Sequence, residues 1–380
     1  MPREKAGELK KKLNGSGDIY VEVVDTESAE PPVELENPKP ARPFEFLIHL
    51  FSTPSYKEID PTFVVFLIFP VFFGFMIGDA GYGIVMILLG YLLWKKMKSM
   101  PMLRQLGLIF LMGGVFALIF GLFVFGEVLA IPFHHIPGSE LPDVGNWSSY
   151  LGFEIPLYPL IHKLDNIGDL LLISIIGAAV HIGVGYIFGI VNEVKHDKKH
   201  AMAKFGWLIV LFALFFQFIL IGYLMDNRVA EFLINNIFVF VSMYTVEFSG
   251  ITISIISLVL IIIGIVMFVP AEGPMHVLEV IGLAANVLSY TRLAGIAVAK
   301  GAVALAFNVM LVPQLLSGNI GLIIMGVVFL FLSHALILIL GSLAAGIQAL
   351  RLNYVEFFLK FYKGNGYRFM PFGKPREAAL

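Results

Sequence analysis

Long apolar segments separated by short polar ones run from Pro61 to about Lys360. A helix needs about 20 apolar residues to cross the hydrocarbon core of a bilayer. The segments of this length are Leu103–Leu129, Gly168–Asn192, Lys204–Met225, Gly250–Val269 and Leu278–Leu311, followed by a last segment from about Ile320 to Lys360. The pattern predicts an all-α, polytopic membrane protein whose last two helices are long and tilted.

The segment Thr62–Trp94 is too long for one comfortable crossing and barely long enough for two. Clusters of Lys and Arg mark the cytoplasmic ends of membrane helices. Such clusters occur at Lys95, Lys96, Lys98 and Arg104, at Lys195, Lys198 and Lys199, and at Lys360, Lys363, Arg368 and Lys374. With a cytoplasmic N-terminal segment, only a hairpin places all these clusters inside. We therefore predict a hairpin, about eight transmembrane helices in total, and both termini in the cytoplasm.

The reversal of this hairpin is predicted at Gly78-Asp79-Ala80-Gly81-Tyr82-Gly83. Glycine adopts the left-handed conformations that a tight reversal needs, which assigns the hairpin turn to Gly78, Gly81 and Gly83. Asp79 is expected at the outer turn.

The chain divides into three parts by polarity. Residues 1–60 are predicted to be exposed to water, with a short strand at Asp18–Asp25 and a proline-rich, extended linker at Pro31–Pro43. Residues 61–362 form the predicted transmembrane domain, and residues 363–380 form a cytoplasmic C-terminal tail. The loops predicted to face outward are Ala130–Ile167, Asp226–Ser249 and Val312–Asn319.

The composition narrows the possible functions. The chain is 58% hydrophobic with only 14% charged residues, and its mean hydropathy of +0.85 excludes an ordinary soluble domain. A net charge of −2 argues against nucleic acid as a partner, and the absence of cysteine excludes disulfides and thiolate metal sites. We find no phosphate loop, nucleophile–base pair or zinc spacing. The chain is therefore not expected to catalyse hydrolysis by itself, and no cofactor or metal is predicted.

Arg292 lies in the middle of a predicted membrane helix whose only other charges are Glu279 and Lys300. An arginine at this depth costs at least ~2.5–3.5 kcal/mol and cannot lose its proton, so it indicates a function such as ion movement. Most residues three, four or seven positions away are small, among them Ser289, which would let another helix approach. The alternative is a structural cation paired with Glu279 or Glu247.

The last helix carries a second arginine, Arg351, with Gln348 and Tyr354 on the same predicted face. Gln348 can both donate and accept hydrogen bonds beside an ion path. Arg351 is close to Lys360, however, so the sequence leaves open whether it serves the ion path or extends towards the cytoplasm.

Other polar residues give weaker signals. Glu279 and His276 cluster with Glu272 near the cytoplasmic start of the Arg292 helix and are candidates for an aqueous entrance. Lys300 is expected either in an outer vestibule or extended towards water. The remaining candidates, each also consistent with an ordinary interior or loop residue, are Glu127, His134, His135, His181, Glu193, Glu247 and His334.

Three motifs resemble one protein family. Glu58-Ile59-Asp60-Pro61-Thr62, followed by Phe69-Pro70 and the stretch from Gly74 to Gly83, resembles the first membrane hairpin of the stator a-subunit (subunit I) of V-type and archaeal A-type rotary ATPases. Leu288-Ser289-Tyr290-Thr291-Arg292-Leu293 resembles the arginine helix of that family. The stretch from Gln348 to Phe357 resembles its last-helix signature. The motifs occur in the expected order within residues 31–372.

The resemblance implies a mechanism and partners. Two offset half-channels would meet a rotating proteolipid c-ring, and passage of a proton or sodium ion would be coupled to ATP synthesis or hydrolysis. Arg292 would keep each ring carboxylate ionised and block a direct leak, because a nearby cation lowers the pKa of a carboxylate. Arg351 would assist, Glu279 would line the cytoplasmic half-channel and Gln348 the outer path; possible lining residues are His276, Ser289, Lys300 and Tyr354. The subunit would be non-catalytic, attached to the peripheral stalk, and multi-pass in a prokaryotic plasma membrane.

The chain departs from the family pattern at several positions. Eukaryotic members tend to carry glutamate where Gly341 stands and histidine where Lys300 and Gln348 stand, which puts the proton relay of the outer half-channel in doubt. The long N-terminal cytoplasmic half of the family is expected to be missing. Residues 1–60 would then be the tail of that domain and its linker.

Two other classes of function fit parts of the sequence. A secondary transporter with its own midplane substrate site would show internal repeats and paired broken helices, and we find no clear repeat. A haem- or quinone-binding redox subunit would use His181, His276 and His334 as ligands.

Overall fold

The computed structural model describes residues 7–8, 11–13, 31–56, 58–134, 146–152, 155–194, 197–248 and 251–369. The protein is 76% helical with almost no sheet, which confirms the all-α prediction. The predicted strand Asp18–Asp25, His135 of the outer loop and residues 370–380 of the predicted tail lie outside the described residues.

The secondary structure follows the apolar pattern closely. The first helices are α1 (Arg42–Phe51), α2 (Thr62–Ile77), α3 (Ala80–Lys96), α4 (Pro101–Ile119, continued by a π-helical turn, Phe120–Phe125) and α5 (Trp147–Leu151). They are followed by α6 (Ile167–Val194), α7 (Lys198–Leu224), α8 (Arg228–Asn236), α9 (Val239–Met243) and α10 (Ile255–Glu272). The last are a 3₁₀ turn (Pro274–Leu278), α11 (Glu279–Ser289), α12 (Thr291–Leu315), and α13 (Ile320–Arg351), which continues as a π-helical turn (Leu352–Phe357) and a 3₁₀ turn (Phe358–Lys360). The strands are β1 (Glu127–Val128) with β2 (Ile131–Pro132), and β3 (Thr245–Phe248) with β4 (Ile251–Ser254), each pair antiparallel.

Within the described parts of the chain, six helical stretches are long and apolar enough to cross a membrane. The last two, Pro274–Leu315 and Ile320–Lys360, contain 42 and 41 residues, which confirms their predicted length. One boundary is wrong: the span predicted from Gly250 begins at Ile255, because the residues before it pair with β3 as a strand. The helix α2 is apolar but shorter, and it belongs to the predicted hairpin.

The segment Thr62–Trp94 does form two helices that reverse at Gly78-Asp79. Phe73 lies against Gly113 and Phe75 against Phe120, so α2 runs parallel to α4. Gly83 lies against Leu118 and Gly90 against Gly107, so α3 runs antiparallel to α4. The three helices therefore run up, down and up, as the hairpin prediction requires.

Gly78 makes the reversal. Its backbone is left-handed, with φ 43° and ψ 45°, and a Cβ built there would lie 2.4 Å from Cε2 of Phe125. Gly81 and Gly83 were assigned to the turn as well, but they lie inside α3. They allow close packing instead, since a Cβ at Gly83 would lie 2.6 Å from the backbone nitrogen of Leu118.

Asp79 lies at this turn, as predicted, but it is fully buried. Its carboxylate accepts hydrogen bonds from the backbone amides of Tyr82 (3.1 Å), Leu129 (3.0 Å) and Ala130 (2.7 Å). Leu129 and Ala130 both have positive φ, which is uncommon for residues with a side chain. Asp79 therefore caps α3 and at the same time holds the strained β1–β2 turn against the hairpin.

The helix α1 corrects the prediction that residues 1–60 are exposed to water. Phe44, Leu47 and Ile48 are buried, and the Phe44 ring packs edge-on against Phe66 of α2 at 5.5 Å. The helix has ten residues, too few for a membrane crossing, so the criterion of about 20 apolar residues did not predict it. Pro43, which we interpreted as part of an extended linker, instead occupies the first helical turn, where proline is well tolerated.

The helix α6 lies at the centre of the remaining bundle. It packs against α7, α12 and the end of the last helix. On the far side of α7, Gly206 and Gly264 bring α7 and α10 together, since a Cβ on Gly206 would lie 2.8 Å from the carbonyl oxygen of Gly264. Small residues at such contacts are the usual means by which membrane helices approach closely.

Candidate ion-translocation site

The Arg292 helix is interrupted just before the arginine. Tyr290 separates α11 from α12 and is fully buried. Its hydroxyl lies 2.9 Å from Nδ1 of His181 on α6, and its ring meets Phe72 edge-on. Tyr290 therefore fixes the start of α12 against α2 and α6, and Arg292 follows two residues later.

The carboxylate beside Arg292 belongs to Glu356. Nη1 of Arg292 lies 3.8 Å from Oε1 of Glu356, and the hydroxyl of Ser289 donates a hydrogen bond to the same oxygen. The Glu356 side chain is 3% exposed, whereas that of Arg292 is 29% exposed. Among the described residues, neither Nη1 of Arg292 nor the other oxygen of Glu356 has a hydrogen-bond partner. The two groups form an ion pair without a direct hydrogen bond.

This finding overturns the partners we considered for a purely structural Arg292. Glu279 lies 3.7 Å from His276, and its side chain is 64% exposed. Glu247 is part of β3. Glu356 was not predicted as the partner of Arg292, because the two residues lie 64 positions apart in the sequence and Glu356 follows a local change of helix type.

The small face predicted beside Arg292 is uncovered. In the described part of the chain, no other side chain or helix comes within 4 Å of the position where a Cβ on Gly295 would stand. The other exposed members of this stripe are Ala285, Leu288, Ala299 and Ala302. A helix of another chain can approach this stripe closely, with the guanidinium on it.

The last helix places Arg351 at the same level as Arg292. Gly341 faces Lys300 and Gly326 faces Leu315, so α12 and α13 are antiparallel in a fixed register. Counting from these two contacts sets Arg292 opposite Ala349, two residues before Arg351. Arg351 itself is exposed.

Gln348 is half-buried, one turn before Arg351. Its side-chain oxygen is buried and has no hydrogen-bond partner in the part of the chain that the structure describes. A buried acceptor is costly when it is unsatisfied, so this oxygen is available to a water or a donor beside Arg351. The structure thus brings Gln348 to the level of the two arginines.

Tyr354 faces α1 and does not share the predicted face with Arg351. Its hydroxyl donates a hydrogen bond to the carbonyl oxygen of Leu47 (2.5 Å), and its ring stacks on Phe51 at 5.1 Å. The face predicted from α-helical spacing fails here because Leu352–Phe357 is π-helical. The wider turn rotates Tyr354 towards α1.

The cytoplasmic candidates separate into a fixed group and an exposed group. Oε2 of Glu272 accepts a hydrogen bond from Nε1 of Trp207 (2.7 Å), so Glu272 is held in place. Glu279 is exposed at the start of α11, and His276, in the 3₁₀ turn before it, is partly exposed. The exposed carboxylate of Glu279 therefore lies where the sequence predicts an aqueous entrance.

Lys300 is neither in a vestibule nor extended to water, which corrects the prediction. It is 7% exposed, and its Nζ lies 4.2 Å from the ring centroid of Tyr82. A Cβ at position 341 would lie 3.3 Å from Cδ of Lys300, so Gly341 provides the space for the lysine stem. Nζ has no hydrogen-bond partner among the described residues.

A chain of hydrogen bonds begins at the hydroxyl of Tyr82, whose ring lies beside Lys300. The Tyr82 hydroxyl lies 2.7 Å from Nδ1 of His334, Nε2 of His334 lies 3.0 Å from Oδ1 of Asn308, and Nδ2 of Asn308 donates to the carbonyl oxygen of Leu129. His334 is therefore engaged on both ring nitrogens.

The redox interpretation needed His181, His276 and His334 to act as ligands. His181 pairs with Tyr290, His276 lies beside Glu279, and His334 lies between Tyr82 and Asn308. The structure gives these histidines three different sets of partners and does not bring them together.

Lys163 is a buried cation that sequence reasoning missed. It is 3% exposed, and Nζ lies 2.5 Å from Oε1 of Glu127 and 2.5 Å from the carbonyl oxygen of Gly78. Nζ also lies 4.5 Å from the ring of Phe125. A lysine in a polar loop normally faces water, so only the fold reveals that it closes the end of the hairpin at Gly78.

Comparison with known proteins places this arrangement in a family. The model of the V-type ATPase 116kDa subunit family matches residues 3–140 and 274–373, which include the hairpin and both arginine helices. "A-type ATP synthase subunit I" of Halobacterium salinarum is 32% identical over 92% of this chain and 52% of its own length. The protein of the same name from Archaeoglobus fulgidus is 31% identical over 98% of this chain and 58% of its own length. "V-type ATP synthase subunit I" of Borreliella burgdorferi is 26% identical over 81% of this chain and 48% of its own length.

The chain therefore spans about half the length of these relatives. The matched region carries the Gly78-Asp79 reversal, the Arg292–Glu356 pair and the exposed Arg351 in one bundle of membrane helices. The chain belongs to the V-type ATPase 116kDa subunit family, as its resemblance to the stator a-subunit predicted.

Proposed function

We propose that this chain is the ion-translocating part of the stator of a rotary ATPase. In this proposal, residues 61–362 provide two half-channels, and residues 1–60 are the tail of a cytoplasmic domain. The observation that carries the proposal is the half-exposed Arg292 on an uncovered stripe of small residues. Such a stripe fits the close approach of a partner helix that bears a carboxylate.

Arg292 acts on that carboxylate by Coulomb attraction. A guanidinium within a few ångströms stabilises the ionised carboxylate and lowers its pKa, so a protonated site releases its proton on arrival. Arg292 also keeps free cations from passing directly between the half-channels. Its charge is permanent, which suits a barrier that operates at every pH the cell meets.

The other residues take positions around this step. Glu279, exposed at the start of α11, lines the cytoplasmic half-channel with His276. Gln348 and Arg351, at the level of Arg292, assist on the outer side. Ser289 positions Glu356 by its hydrogen bond. The ion is a proton or sodium, selected by the carboxylate of the partner.

The partners follow from the same proposal. They are the proteolipid c-ring on the uncovered stripe, and the peripheral stalk with the remaining subunits of the ATPase through the cytoplasmic domain. The chain is non-catalytic: ATP synthesis or hydrolysis takes place in other subunits. It lies in a prokaryotic plasma membrane with both termini in the cytoplasm.

The test is Arg292→Ala in the whole complex, reconstituted in vesicles. We expect an assembled complex that hydrolyses ATP but pumps no ions, because a ring carboxylate can then pass without exchanging its ion. Arg292→Lys should fail substantially too, since an ammonium lacks the planar fork and can lose its proton when desolvated. Normal pumping per assembled Arg292→Ala complex would contradict the proposal, and transport by the isolated chain without a ring would favour a secondary transporter instead.

A further inference from the structure

The end of the last helix is fastened to the segment that enters the membrane domain. We call this fastening the clasp: α1, residues 52–56 and 58, and the strap of residues 361–369 that follows the last helix. The hydroxyl of Tyr362 donates to the carbonyl oxygen of Ser52 (2.6 Å). The carboxylate of Glu58 accepts from the backbone nitrogens of Lys363 (2.7 Å) and Gly364 (3.2 Å).

Backbone contacts extend the clasp along the strap. The amide of Gly366 donates to the carbonyl oxygen of Thr53 (3.0 Å). Val33 donates to the carbonyl oxygen of Tyr367 (2.7 Å) and accepts from the amide of Phe369 (2.9 Å), which makes a parallel bridge to Arg368. These contacts join positions more than 300 residues apart in sequence.

Aromatic rings fill the inside of the clasp. Phe51, at the end of α1, stacks on Tyr354 at 5.1 Å and meets Phe358 edge-on at 5.5 Å. Tyr362 lies 5.2 Å from Phe358 and 6.0 Å from Phe51. Side chains packed in this way resist sliding, because moving one ring requires the others to repack.

The clasp reaches the arginine site through one π-helical turn. Tyr354 and Glu356 both lie in Leu352–Phe357, with Tyr354 bonded to Leu47 of α1 and Glu356 beside Arg292. Arg351 immediately precedes this turn. A shift of the turn relative to α1 therefore displaces Glu356 and Arg351 together.

We propose that Tyr354 and Tyr362 are positioning residues that hold this turn, and with it Arg351 and the Arg292–Glu356 pair, against the sideways force of a moving partner. The inference rests on the proposed function, since only a partner that moves past the helices applies such a force. Each tyrosine joins the last helix or its strap to a backbone carbonyl of the entering segment. Hydroxyl bonds across that joint oppose displacement of the last helix relative to α1, whereas the ring packing alone permits small rotations.

The experiment uses the whole complex in vesicles and the double variant Tyr354→Phe with Tyr362→Phe. Phenylalanine keeps both rings and removes only the two hydroxyl bonds. We expect normal assembly and near-normal pumping into vesicles without a gradient. Against a large opposing ion gradient, ions pumped per ATP should fall about fivefold, the scale expected from losing hydrogen bonds of ordinary strength. Tyr244→Phe, at an exposed tyrosine between α9 and β3, is the matched control and should behave as the unaltered chain under both conditions.

A disulfide crosslink between positions 33 and 368 provides a second test of the clasp. The chain has no cysteine, and Val33 and Arg368 are bridge partners, a separation that a disulfide can span. Adding Val33→Cys and Arg368→Cys to the double variant should restore ions per ATP under load when oxidised and lose it again when reduced. Dependence on load and rescue by the crosslink distinguish positioning from a general loss of stability.

The outcomes separate this inference from the proposed function. Unchanged coupling under load in the double variant, or no restoration by the oxidised crosslink, would overturn the role of the clasp. If Arg292→Ala measured in the same vesicles pumps normally, the proposed function itself fails. If Arg292→Ala stops pumping while the double variant keeps its coupling under load, only the clasp inference is wrong.

Discussion

Arg292 and Glu356 lie 3.8 Å apart between Nη1 and Oε1, beyond hydrogen-bond distance, while the hydroxyl of Ser289 donates to that same oxygen. The carboxylate is thus held by the serine rather than by the guanidinium. A buried bidentate pair would fix Arg292 firmly. The longer separation keeps the counter-charge nearby and leaves the guanidinium free to turn towards a partner.

Glu356→Gln tests this relationship. We expect the isolated chain to melt at a lower temperature, because a partly buried guanidinium then lacks its counter-charge; the loss should be about 1–3 kcal/mol, since Arg292 is still partly exposed to solvent. Pumping per assembled complex should fall, but less than in Arg292→Ala. Glu279→Gln, at an exposed carboxylate at the start of α11, is the control for stability and should leave the melting temperature unchanged. An unchanged melting temperature in Glu356→Gln would show that the pair contributes nothing.

Gly78→Ala should destabilise the chain by about 2–4 kcal/mol, the sum of a left-handed backbone and an overpacked site. The new Cβ would lie 2.4 Å from the ring of Phe125. The measurement is thermal unfolding of the purified chain in detergent. Gly282→Ala is the matched control: it lies within α11 with nothing within 4 Å of its Cβ position, so it should be neutral or slightly stabilising. Equal stability of the two variants would contradict the assignment of the turn to Gly78.

Lys96→Cys and Lys198→Cys test the topology. Both positions are exposed, and the chain has no other cysteine. If the hairpin places both at the cytoplasmic side, an impermeant thiol reagent should label them only from that side. Leu160→Cys, at a position 72% exposed in the predicted outer loop, should be labelled only from the opposite side. Labelling of Lys96→Cys from outside would exclude the arrangement with eight crossings.

The sequence predicted the elements whose signals are local. Apolar length located the crossing helices, and the glycine-rich stretch located the reversal at Gly78. The stripe of small residues beside Arg292 was also readable, because α-helical spacing holds along α12. Each of these depends on residues within one or two turns of each other.

The errors share a different cause. Lys300 is charged and was predicted near water, but it is buried with its Nζ beside the Tyr82 ring. Tyr354 was assigned to the wrong face because a π-helical turn changes the spacing. Glu356 was missed for the same reason. Contacts across the fold decided these positions, and no local pattern encodes them.

The variant Lys300→Met distinguishes a role of Lys300 in stability from a role in ion transport. The lysine is buried and its Nζ has no hydrogen-bond partner among the described residues; it lies over the Tyr82 ring and is attracted, without direct contact, by the carboxylates of Asp79 and Glu127. A desolvated ammonium costs more than a cation–π contact of about 2 kcal/mol returns. Methionine has nearly the same length and fills the space over Gly341 without a charge.

If Lys300 lies on the outer ion path, Lys300→Met should raise the melting temperature and lower the pumping per assembled complex. The melting temperature of the purified chain should rise in Lys300→Met, because a desolvated ammonium without a hydrogen-bond partner is removed. Pumping per assembled complex should fall, because the path loses a polar side chain at the level of Gly341. Tyr82→Phe is the control for packing: it keeps the ring beneath Lys300 and removes only the hydroxyl contact to His334. A fall in melting temperature together with unchanged pumping would make Lys300 a packing residue and exclude it from the path.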